Sequence, residues 1–478
     1  MKNSYPPQLK QLFKEWADES VESFTALPPS GSSRHYFRIT SASKNVLGAI
    51  NNDVKENRAF LAFSNHFRKL GFPVPEIYRV NESEDCYLLE DFGNTTLYDW
   101  LSTSRTGKTI PDNIIDFYKQ SLENLILFQV EGAKGLDFGY CYPRHSFDKQ
   151  SMLWDLHYFK YYFLKLAKIP FDEQLLEDDF NAFADYLQQA ESNYFLYRDF
   201  QSRNIMVTEN GPAFIDYQGG RRGALQYDLA SLLYDAKADL PHEVREELLD
   251  FYISKVKEKT NIDEDAFRNF FTGYVLIRIM QAMGAYGFRG FYEKKEHFLK
   301  SIPYALENLK YILNNFSLPV KLPALMDALE KVTLSEQLQQ ISVSTQLTIS
   351  INSFSYRRGI PVDSSGHGGG FVFDCRCIHN PGRYEEYKSK TGLSPEVIAF
   401  FEKEDEMSTY LKSVFTLADQ SVTKYLERGF KNLMFNFGCT GGQHRSVYCA
   451  ENLALYLRKN YPVKVELKHM EMPAWPRE

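Results

Sequence analysis

The spacing of hydrophobic positions changes character several times along the chain. In the first 93 residues, apolar positions recur either at the helical period or in short runs typical of strands. These segments are, in chain order, 8–16, 27–40, 46–50, 56–70 and 86–92. Later periodic segments are longer and helical: 114–129, 147–167, 226–232, 241–256, 264–283 and 302–315. The pattern predicts a small mixed lobe at residues 1–93 and a larger helical lobe at residues 94–318.

A break in this pattern follows the last long helix. Pro319 and Pro323 end that helix, because proline lacks a backbone N–H and cannot continue one. A further helical segment then leads to a new β-rich start at 347–351. We therefore expect a linker helix at residues 319–344 and a second domain at residues 345–478, which is a normal domain size.

The composition narrows the class of protein without changing this picture. With 478 residues, 44% hydrophobic and 24% charged, the chain can bury several cores and has the balance of a soluble globular protein. Its net charge of −7 argues weakly against a nucleic-acid binder. The six cysteines fall in no framework spacing, no secretory leader precedes them, and no apolar run approaches 18 residues. We therefore expect a cytoplasmic protein with reduced thiols and no membrane span.

Three oxygen-bearing side chains in segment 194–216 have the spacing of a phosphoryl-transfer site. Asp199 and Asn204 are five residues apart, as are the base and a metal ligand in the kinase catalytic loop. Asp216 follows an apolar segment and a turn. Phosphoryl transfer needs a carboxylate near the acceptor's proton and hard oxygen atoms that hold Mg²⁺. The spacing predicts Asp199 as the general base and Asn204 and Asp216 as Mg²⁺ ligands. The alternative is a surface turn with scattered carboxylates.

Two stretches of the small lobe are candidates for contacts with the nucleotide. Ser32 and Ser33 occupy a small hairpin tip whose backbone N–H groups could cover phosphates, although a plain turn explains them equally well. A later apolar strand ends at Glu90, Asp91 and Phe92. A kinase hinge would bond the adenine there, but a buried strand with a capping turn has the same pattern.

The phosphate-pairing lysine of protein kinases has no obvious counterpart, because the sequence contains no V-A-I-K-like strand. Another basic residue of the small lobe would have to take its place. Four candidates remain open: Arg34, Arg38, Lys44 and Lys55.

With these motifs, residues 8–315 resemble the aminoglycoside-phosphotransferase superfamily, and more closely the bacterial anomeric kinases of N-acetylmuramate and N-acetylglucosamine. The matching pieces are 32–38, 88–93, 198–204, 215–218 and 227–232. The resemblance implies an α+β two-lobed protein-kinase-like fold, ATP with Mg²⁺, and phosphorylation of a sugar's C1 hydroxyl in peptidoglycan recycling. A kinase of another small hydroxylated acceptor, such as choline or an aminoglycoside, is the alternative.

The second domain has its strongest motif at residues 435–447, where an apolar strand, a glycine-rich turn and the start of a helix follow one another. Backbone N–H groups at a helix N-terminus bind anions, and Arg445 would add charge-assisted bonds to a phosphate. Cys439 and Arg445 also have the C-x-x-x-x-x-R spacing of cysteine phosphatases. A phosphate-binding loop, a phosphatase and a purely structural turn therefore remain open from the residues alone.

From about residue 350 onward the chain resembles the C-terminal domain of RapZ, a bacterial adaptor that senses glucosamine 6-phosphate and binds a small RNA. The resemblance rests on 353–361, 373–376, 380–381, 391–393 and 438–447. It implies a smaller α/β domain with a phosphorylated amino-sugar effector. The implied site residues are Asp374, Arg376, Cys439, Thr440, Gly441, Gly442, His444, Arg445 and Ser446.

The charge of this second region puts RNA in doubt as a partner. From Thr345 onward the sequence has 17 Lys and Arg and 15 Asp and Glu, without a basic cluster, whereas RNA binding depends on such clusters. We therefore predict a sugar kinase joined to a phosphosugar-sensing domain, with the oligomeric state open. An RNA-binding adaptor with a degenerate kinase is the rival class, and the intact set of Asp199, Asn204 and Asp216 argues against it.

Overall fold

The computed structural model describes residues 6–28, 34–339, 341, 347–362, 370–427, 430 and 432–475. The chain forms two compact units, Met1–Ser342 and Val343–Glu478. Among the described residues, no helix combines the length and the apolar character needed to cross a membrane.

The small lobe of the first unit is an antiparallel sheet covered by two helices. Its elements are α1 (Pro7–Ala17), β1 (Ser23–Ala26), β2 (His35–Thr40), β3 (Asn45–Ile50), α2 (Val54–Lys69), β4 (Ile77–Val80) and β5 (Cys86–Glu90). The strand order is β1-β2-β3-β5-β4. Helix α2 begins after Asp53, whose side chain accepts the N–H of Glu56 at 3.1 Å and so caps the helix. Apolar residues of α1 and α2, including Phe13 and Phe60, are buried.

The large lobe is mainly helical. Its helices are α3 (Leu97–Ser104), α4 (Asp112–Ile126), α5 (Lys149–Phe159), α6 (Glu173–Leu187), α7 (Gln226–Leu233), α8 (His242–Lys257), α9 (Glu264–Tyr286), α10 (Glu296–Leu299), α11 (Ile302–Asn315), α12 (Pro323–Leu334) and α13 (Glu336–Gln339). Its strands are β6 (Tyr194–Leu196), β7 (Ile205–Thr208), β8 (Gly211–Phe214) and β9 (Arg221–Gly223). Strand β6 pairs with β9, and β7 pairs with β8, so the predicted site residues lie on or beside two short ladders.

The segment expected to be a linker helix packs into the core of the large lobe. Leu325, Leu329 and Val332 of α12 are buried there, because a spacing of four and then three residues places them on one face of the helix. The backbone N–H of Leu325 also donates to the Asp179 carboxylate at 2.8 Å. Helix α12 therefore forms part of the first unit.

The second unit is a parallel α/β domain. Its elements are β10 (Thr348–Ser355), β11 (Phe371–Asp374), α14 (Pro395–Glu402), α15 (Asp405–Glu427), β12 (Asn432–Cys439), α16 (Arg445–Asn460) and β13 (Lys464–His469). The strand order is β11-β12-β10-β13. Ser355 pairs with Cys439 and Asp374 pairs with Gly438, so the carboxyl ends of three strands meet at one edge, where parallel sheets bind ligands. The predicted fold class, kinase-like followed by a smaller α/β domain, is confirmed.

Candidate active site

A buried carboxylate holds the loop between β6 and β7. Asp228 of α7 accepts the backbone N–H groups of Tyr197 at 2.8 Å and of Arg198 at 2.9 Å. The side chain of Gln129 donates to the same carboxylate at 3.3 Å. These bonds fix the backbone immediately before Asp199. Asp228 therefore braces the loop.

Side-chain contacts of Arg198 also hold the loop between β6 and β7. Its φ of 84° lies in the left-handed region, which is unfavourable for a residue with a Cβ atom. The guanidinium donates two bonds to Asp155, at 2.8 and 2.7 Å, and one to the Tyr227 hydroxyl at 2.6 Å. Although burial by itself lowers the pKa of Arg198, the Asp155 carboxylate raises that pKa above its ordinary value. The contacts hold the strained backbone in place, so Asp199 is presented by a fixed loop.

Asp199, Asn204 and Asp216 lie together in one network. The side-chain amide of Asn204 donates to the backbone carbonyl of Asp199 at 2.8 Å and to the Asp216 carboxylate at 3.1 Å. The Tyr197 hydroxyl donates to the carbonyl of Ile215 at 2.7 Å, which links the loop to the segment that carries Asp216. Because both amide hydrogens of Asn204 are used, its Oδ1 atom remains for a cation.

Asp216 combines burial with an unfavourable backbone conformation. Its φ is 72°, and the Gln218 amide donates to its carboxylate at 2.8 Å. Burial, and after it the negative charge of Asp199, raise the pKa of Asp216. A cation beside the carboxylate would offset both effects. The oxygen atoms of Asp216 and Asn204 therefore fit a hard cation such as Mg²⁺.

This pair would hold a cation only together with other ligands. Among the residues that the structure describes, no group of three or more His, Cys, Asp and Glu side chains is arranged to hold a metal ion. Mg²⁺ commonly uses one or two protein carboxylates and completes its shell with water and phosphate oxygens. The arrangement at Asp216 is of that kind.

Asp199 lies in the wall of a cavity of about 170 Å³. Its side chain is 39% exposed, and one of its oxygens is 4.0 Å from Nη2 of Arg278. Tyr98, Tyr286 and Phe298 contribute aromatic surface to the same cavity. A general base must be within reach of the proton that it abstracts, and an exposed carboxylate in a cavity of this size meets that condition for a small acceptor.

The four basic residues that could pair with the phosphates have different contacts in the structure. Arg34, just before β2, forms an ion pair with Glu56 of α2, with Nη2 and Oε1 3.4 Å apart. Its positive charge also acts on Asp216, where it opposes the rise in pKa. The Nζ atom of Lys44 instead lies 5.7 Å from the centroid of the Trp16 ring, and Lys55 is exposed on α2. Since kinases pair a phosphate-binding lysine with a glutamate of the corresponding helix, the geometry favours Arg34.

The predicted hinge residues Glu90, Asp91 and Phe92 lie at the end of β5 and in the connection to the large lobe. Asp91 accepts two bonds from the Arg38 guanidinium, at 2.5 and 2.9 Å, so Arg38 is engaged in holding this connection. Further along, the carbonyl of Thr95 accepts a bond from β7 of the large lobe at 2.9 Å. The three residues therefore join the lobes, and their contact with adenine stays a prediction.

The glycine-rich loop of the second unit closes around a thiol. The Sγ atom of Cys439 accepts the backbone N–H of Gly442 at 3.2 Å and is 3.2 Å from the Ser446 hydroxyl. Gly442 has a φ of 67°, and a Cβ atom there would come within 3.0 Å of the backbone of Ser355. Glycine is thus required at this position, and the loop lies directly before the first turn of α16.

Arg445 holds the segment after β11, which lies beside this loop. It is 5% exposed, and Nη1 donates to the carbonyls of Arg376 at 3.1 Å and Ile378 at 2.8 Å. Its Nε atom is buried and has no hydrogen-bond partner among the described residues. Asp374 and Arg376 pair with each other at 2.6 Å, and Cζ of Arg376 lies 4.1 Å from the centroid of the Tyr356 ring. The predicted residues do meet at one edge of the sheet.

The remaining predicted residues of this loop have different environments. Thr440 and Gly441 are exposed at its tip, and a Cβ atom on Gly441 would meet nothing within 4 Å. His444 is buried and bonded to the carbonyl of Tyr387 at 2.9 Å, and burial lowers its pKa. Thr440 and Gly441 are therefore open to a ligand, whereas His444 stabilises the loop from behind.

Comparison with known families decides the class of the first unit. The model of the phosphotransferase enzyme family (APH) matches residues 23–266, just over half of the chain, and this range contains Asp199, Asn204 and Asp216. The chain belongs to this phosphotransferase family. A second model, the RapZ C-terminal domain, matches residues 347–473 of the same chain. The resemblance of the first unit to the aminoglycoside-phosphotransferase superfamily and that of the second unit to the RapZ C-terminal domain are therefore confirmed.

Curated relatives of this chain carry the name "nucleotide-binding protein". One from Fervidobacterium nodosum is 33% identical over 174 residues, which cover 36% of this chain and 60% of that protein. One from Thermotoga neapolitana is 30% identical over 265 residues, with 51% of this chain and 92% of that protein covered. The chain spans 40% to 60% of the length of the first curated relatives that it matches. Among solved structures, an ethanolamine kinase from Plasmodium vivax matches with 15% identity and a TM-score of 0.43, over 61% of this chain and 82% of its own.

Several residues that support the candidate site have no recognisable signal in the sequence. Asp155 lies 43 residues before Arg198, and only the packing of α5 brings the two together. Glu56 could have been found as an acidic residue in the first turn of α2. Ser32 and Ser33 lie outside the described residues, so the phosphate-covering tip stays a prediction.

The brace at Asp228 gives a testable dependence on pH. Burial raises the pKa of Asp228 to about 7, although the N–H groups of Tyr197 and Arg198 act in the opposite direction. In the unfolded chain this pKa is about 4, so the folded protein binds an extra proton between about pH 4 and 7. The stability contributed by Asp228 is therefore present below about pH 4 and is lost as the pH rises through about 7.

We expect Asp228→Asn to remove this contribution, so that Tm varies less between pH 5 and 8 than in the unaltered protein. We also expect kcat to fall by about tenfold or more, because one of the two backbone N–H groups would face an amide N–H and lose its bond. Thermal unfolding and turnover at pH 5, 6, 7 and 8 measure both effects. An unchanged pH dependence of Tm together with unchanged kcat would contradict the bracing role.

Proposed function

We propose that this phosphotransferase transfers the γ-phosphate of ATP to the C1 hydroxyl of N-acetylmuramate or N-acetylglucosamine. The observation that carries the proposal is the network of Asp199, Asn204 and Asp216, with Asp199 exposed in the wall of a cavity. The resemblance to anomeric sugar kinases supports the choice of sugar. The proposed setting is peptidoglycan recycling in the cytoplasm, where ATP is available.

The proposed reaction is a direct transfer with Asp199 as the base. The acceptor oxygen forms a bond to the γ-phosphorus while the bond from that phosphorus to the β–γ bridging oxygen breaks, and ADP leaves. The hydroxyl proton passes to the Asp199 carboxylate. Arg278, 4.0 Å away, orients that carboxylate within the cavity. The Asn204 amide ties the Asp199 backbone to Asp216, so a shift of one would move the others.

The nucleotide side of the proposal rests on the small lobe and on Asp216. Asp216 and Asn204 are the proposed ligands of Mg²⁺, which when bound neutralises phosphate charge. Arg34, held by Glu56, is the proposed partner of the phosphates. The backbone near Ser32 and Ser33 and the hinge at residues 90–92 are the proposed contacts with the phosphates and the adenine.

A panel of acceptors tests the proposed function. Release of ADP is measured with N-acetylmuramate, N-acetylglucosamine, choline, an aminoglycoside and no acceptor, at fixed ATP and Mg²⁺. We expect turnover with at least one of the two sugars that exceeds the rate without acceptor by at least about 100-fold, since bringing a base and acceptor together supplies rate factors of this order. Turnover confined to choline or the aminoglycoside would reject the sugar and keep the kinase. No acceptor-dependent turnover would reject the proposed function.

A second function is proposed for the C-terminal unit, the binding of glucosamine 6-phosphate at residues 439–446. The observation that favours it is Arg445, whose buried Nε has no partner among the described residues and which lies at the N-terminus of the 16-residue helix α16. Helix N-termini favour anions. A phosphatase acting through Cys439 is the rival for this loop and makes a different prediction.

Arg445→Met is expected to weaken the binding of glucosamine 6-phosphate by at least about tenfold, because one or more charge-assisted bonds of about 1.5–3 kcal/mol are lost. Arg458→Met, on the exposed face of the same helix, is the matched control and should bind normally. Calorimetry on the full chain, with glucosamine as the neutral ligand, measures both. Equal affinities in the two variants, or hydrolysis of an aryl phosphate that requires Cys439, would count against sensing.

A further inference from the structure

The cavity beside Asp199 has an unusual set of charges for a site that would hold a neutral sugar. Arg203, Lys237 and Arg278 are the cations in its wall, and Asp199 and Asp235 are the carboxylates. Whether this set favours an anion depends on which of these charges are already paired within the protein.

The guanidinium of Arg278 contacts other side chains of the protein. It is 5% exposed, its Nε donates to the Ser231 hydroxyl at 2.9 Å, and its Nη1 donates to Gln281. Its Nη2 is the nitrogen that lies 4.0 Å from Asp199. We assign Arg278 to positioning Asp199, since its nitrogens are directed to groups of the protein.

Asp235 is also engaged. The Ser202 hydroxyl donates to its carboxylate at 2.7 Å, and the backbone N–H of Lys237 donates to it at 3.3 Å. Asp235 therefore accepts bonds that fix the catalytic loop to the segment after α7. These bonds place Lys237 next to the cavity.

Arg203 and Lys237 remain as cations without a dedicated partner. Both are exposed, and neither forms an ion pair with a carboxylate of the described residues. Although the residue is exposed, the protein around the Lys237 amine desolvates it, and this desolvation and after it the positive charge of Arg203 lower the pKa of Lys237. The Asp235 carboxylate acts in the opposite direction, and Lys300 lowers the pKa further. Holding like charges close together costs free energy, and an anion bound between them offsets that cost.

We propose that Arg203 and Lys237 form an anion subsite that binds a carboxylate or phosphate carried by the acceptor. The inference rests on the proposed function, in which the cavity receives the acceptor. The proposed function does not choose between the two sugars. The anion subsite predicts a preference for N-acetylmuramate, because N-acetylmuramate carries a lactyl carboxylate and N-acetylglucosamine carries none. The substrate class is then a hydroxylated acid, and a neutral sugar is a poor substrate.

The test compares acceptors with and without an anionic group. We expect kcat/KM for N-acetylmuramate to exceed that for N-acetylglucosamine by at least about tenfold, which corresponds to one charge-assisted contact. Lys237→Met should reduce this ratio to within about twofold of unity, because it should raise KM for N-acetylmuramate far more than KM for N-acetylglucosamine. Lys310→Met, which removes a surface lysine paired with Glu307 on α11, is the matched control and should keep the full ratio.

Three outcomes would overturn the inference. These are equal kcat/KM values for the two sugars, an equal loss for both in Lys237→Met, and a rise in KM for ATP alone, which would assign the cations to the nucleotide. N-acetylglucosamine 6-phosphate is included as the phosphate-bearing acceptor and shows which anion is preferred.

A second set of acceptors keeps the failure of this inference distinct from the failure of the proposed function. The pairs are glucose with glucuronate and glycerol with glycerate. If the sugars fail but glycerate is phosphorylated in preference to glycerol, the sugar assignment is wrong and the anion subsite stands. If no acceptor is phosphorylated, calorimetry with the same pairs on the full chain measures binding directly. An acid that binds no more tightly than its neutral partner then rejects the subsite.

Discussion

Asp199→Asn is expected to lower kcat by about 10²–10⁴-fold, because the amide cannot accept the acceptor's proton and general-base catalysis contributes a factor of this size. KM for ATP should change by less than about threefold, since the Asn204 amide bonds to the backbone carbonyl of Asp199 and not to its side chain. The loop is also held by Asp228 through backbone groups, so the substitution leaves its conformation in place. Steady-state kinetics with varied ATP and varied acceptor measures the split between kcat and KM.

Asp178→Asn, an exposed aspartate of α6, is the matched control and should have the kcat of the unaltered protein. An unchanged KM for ATP distinguishes a lost base from a distorted site. Unaltered turnover in Asp199→Asn would contradict the assignment of the base.

Asp216→Asn is expected to lower kcat/KM for ATP by at least about 100-fold, because charge stabilisation by a bound metal ion is worth several kcal/mol and Asp216 is its proposed carboxylate ligand. Asparagine is chosen because it tolerates the left-handed region, in which Asp216 has a φ of 72°. The bonds with Asn204 and Gln218 can partly persist. Titration of Mg²⁺ at saturating ATP should show a higher Mg²⁺ requirement in the variant.

The thermal stability of Asp216→Asn should not fall with its activity. Burial and the charge of Asp199 both disfavour the ionised form of Asp216, so replacing this carboxylate by a neutral amide relieves repulsion in the protein without metal. We expect an equal or higher Tm in the absence of Mg²⁺, together with the loss of activity. A lower Tm with normal Mg²⁺ dependence would show that Asp216 has a structural role and is not a metal ligand.

The candidate site residues that the sequence predicts in the first unit are close together along the chain, and the structure brings them together. The interval from Asp199 to Asn204 is set by a single turn between β6 and β7, and Asp216 follows one hairpin later, so local spacing was sufficient. The helices at 302–315 and 264–283 were predicted nearly to their ends, because their apolar period is long and regular. The kinase-like family followed from these motifs and is confirmed.

The sequence could not predict contacts that depend on packing between distant segments. Asp155 and Arg278 reach the catalytic loop from α5 and α9, and neither lies in a motif. In segment 147–167 the aromatic residues Trp154 and Tyr161 are exposed, although aromatic residues at helical spacing usually lie in a core. Helical spacing alone does not say which face of α5 is covered, and here the cavity beside Asp199 takes its aromatic surface from other elements.

The most direct test of the central claim is the structure of the product. The unaltered protein and Asp199→Asn are incubated with ATP, Mg²⁺ and N-acetylmuramate, and the products are analysed by ³¹P and ¹H NMR. The account predicts a sugar phosphate whose phosphorus couples to the anomeric proton, with no free reducing end, and its near absence in the variant. A phosphate at the 6-position with a free anomeric centre, or equal product from both proteins, would contradict it.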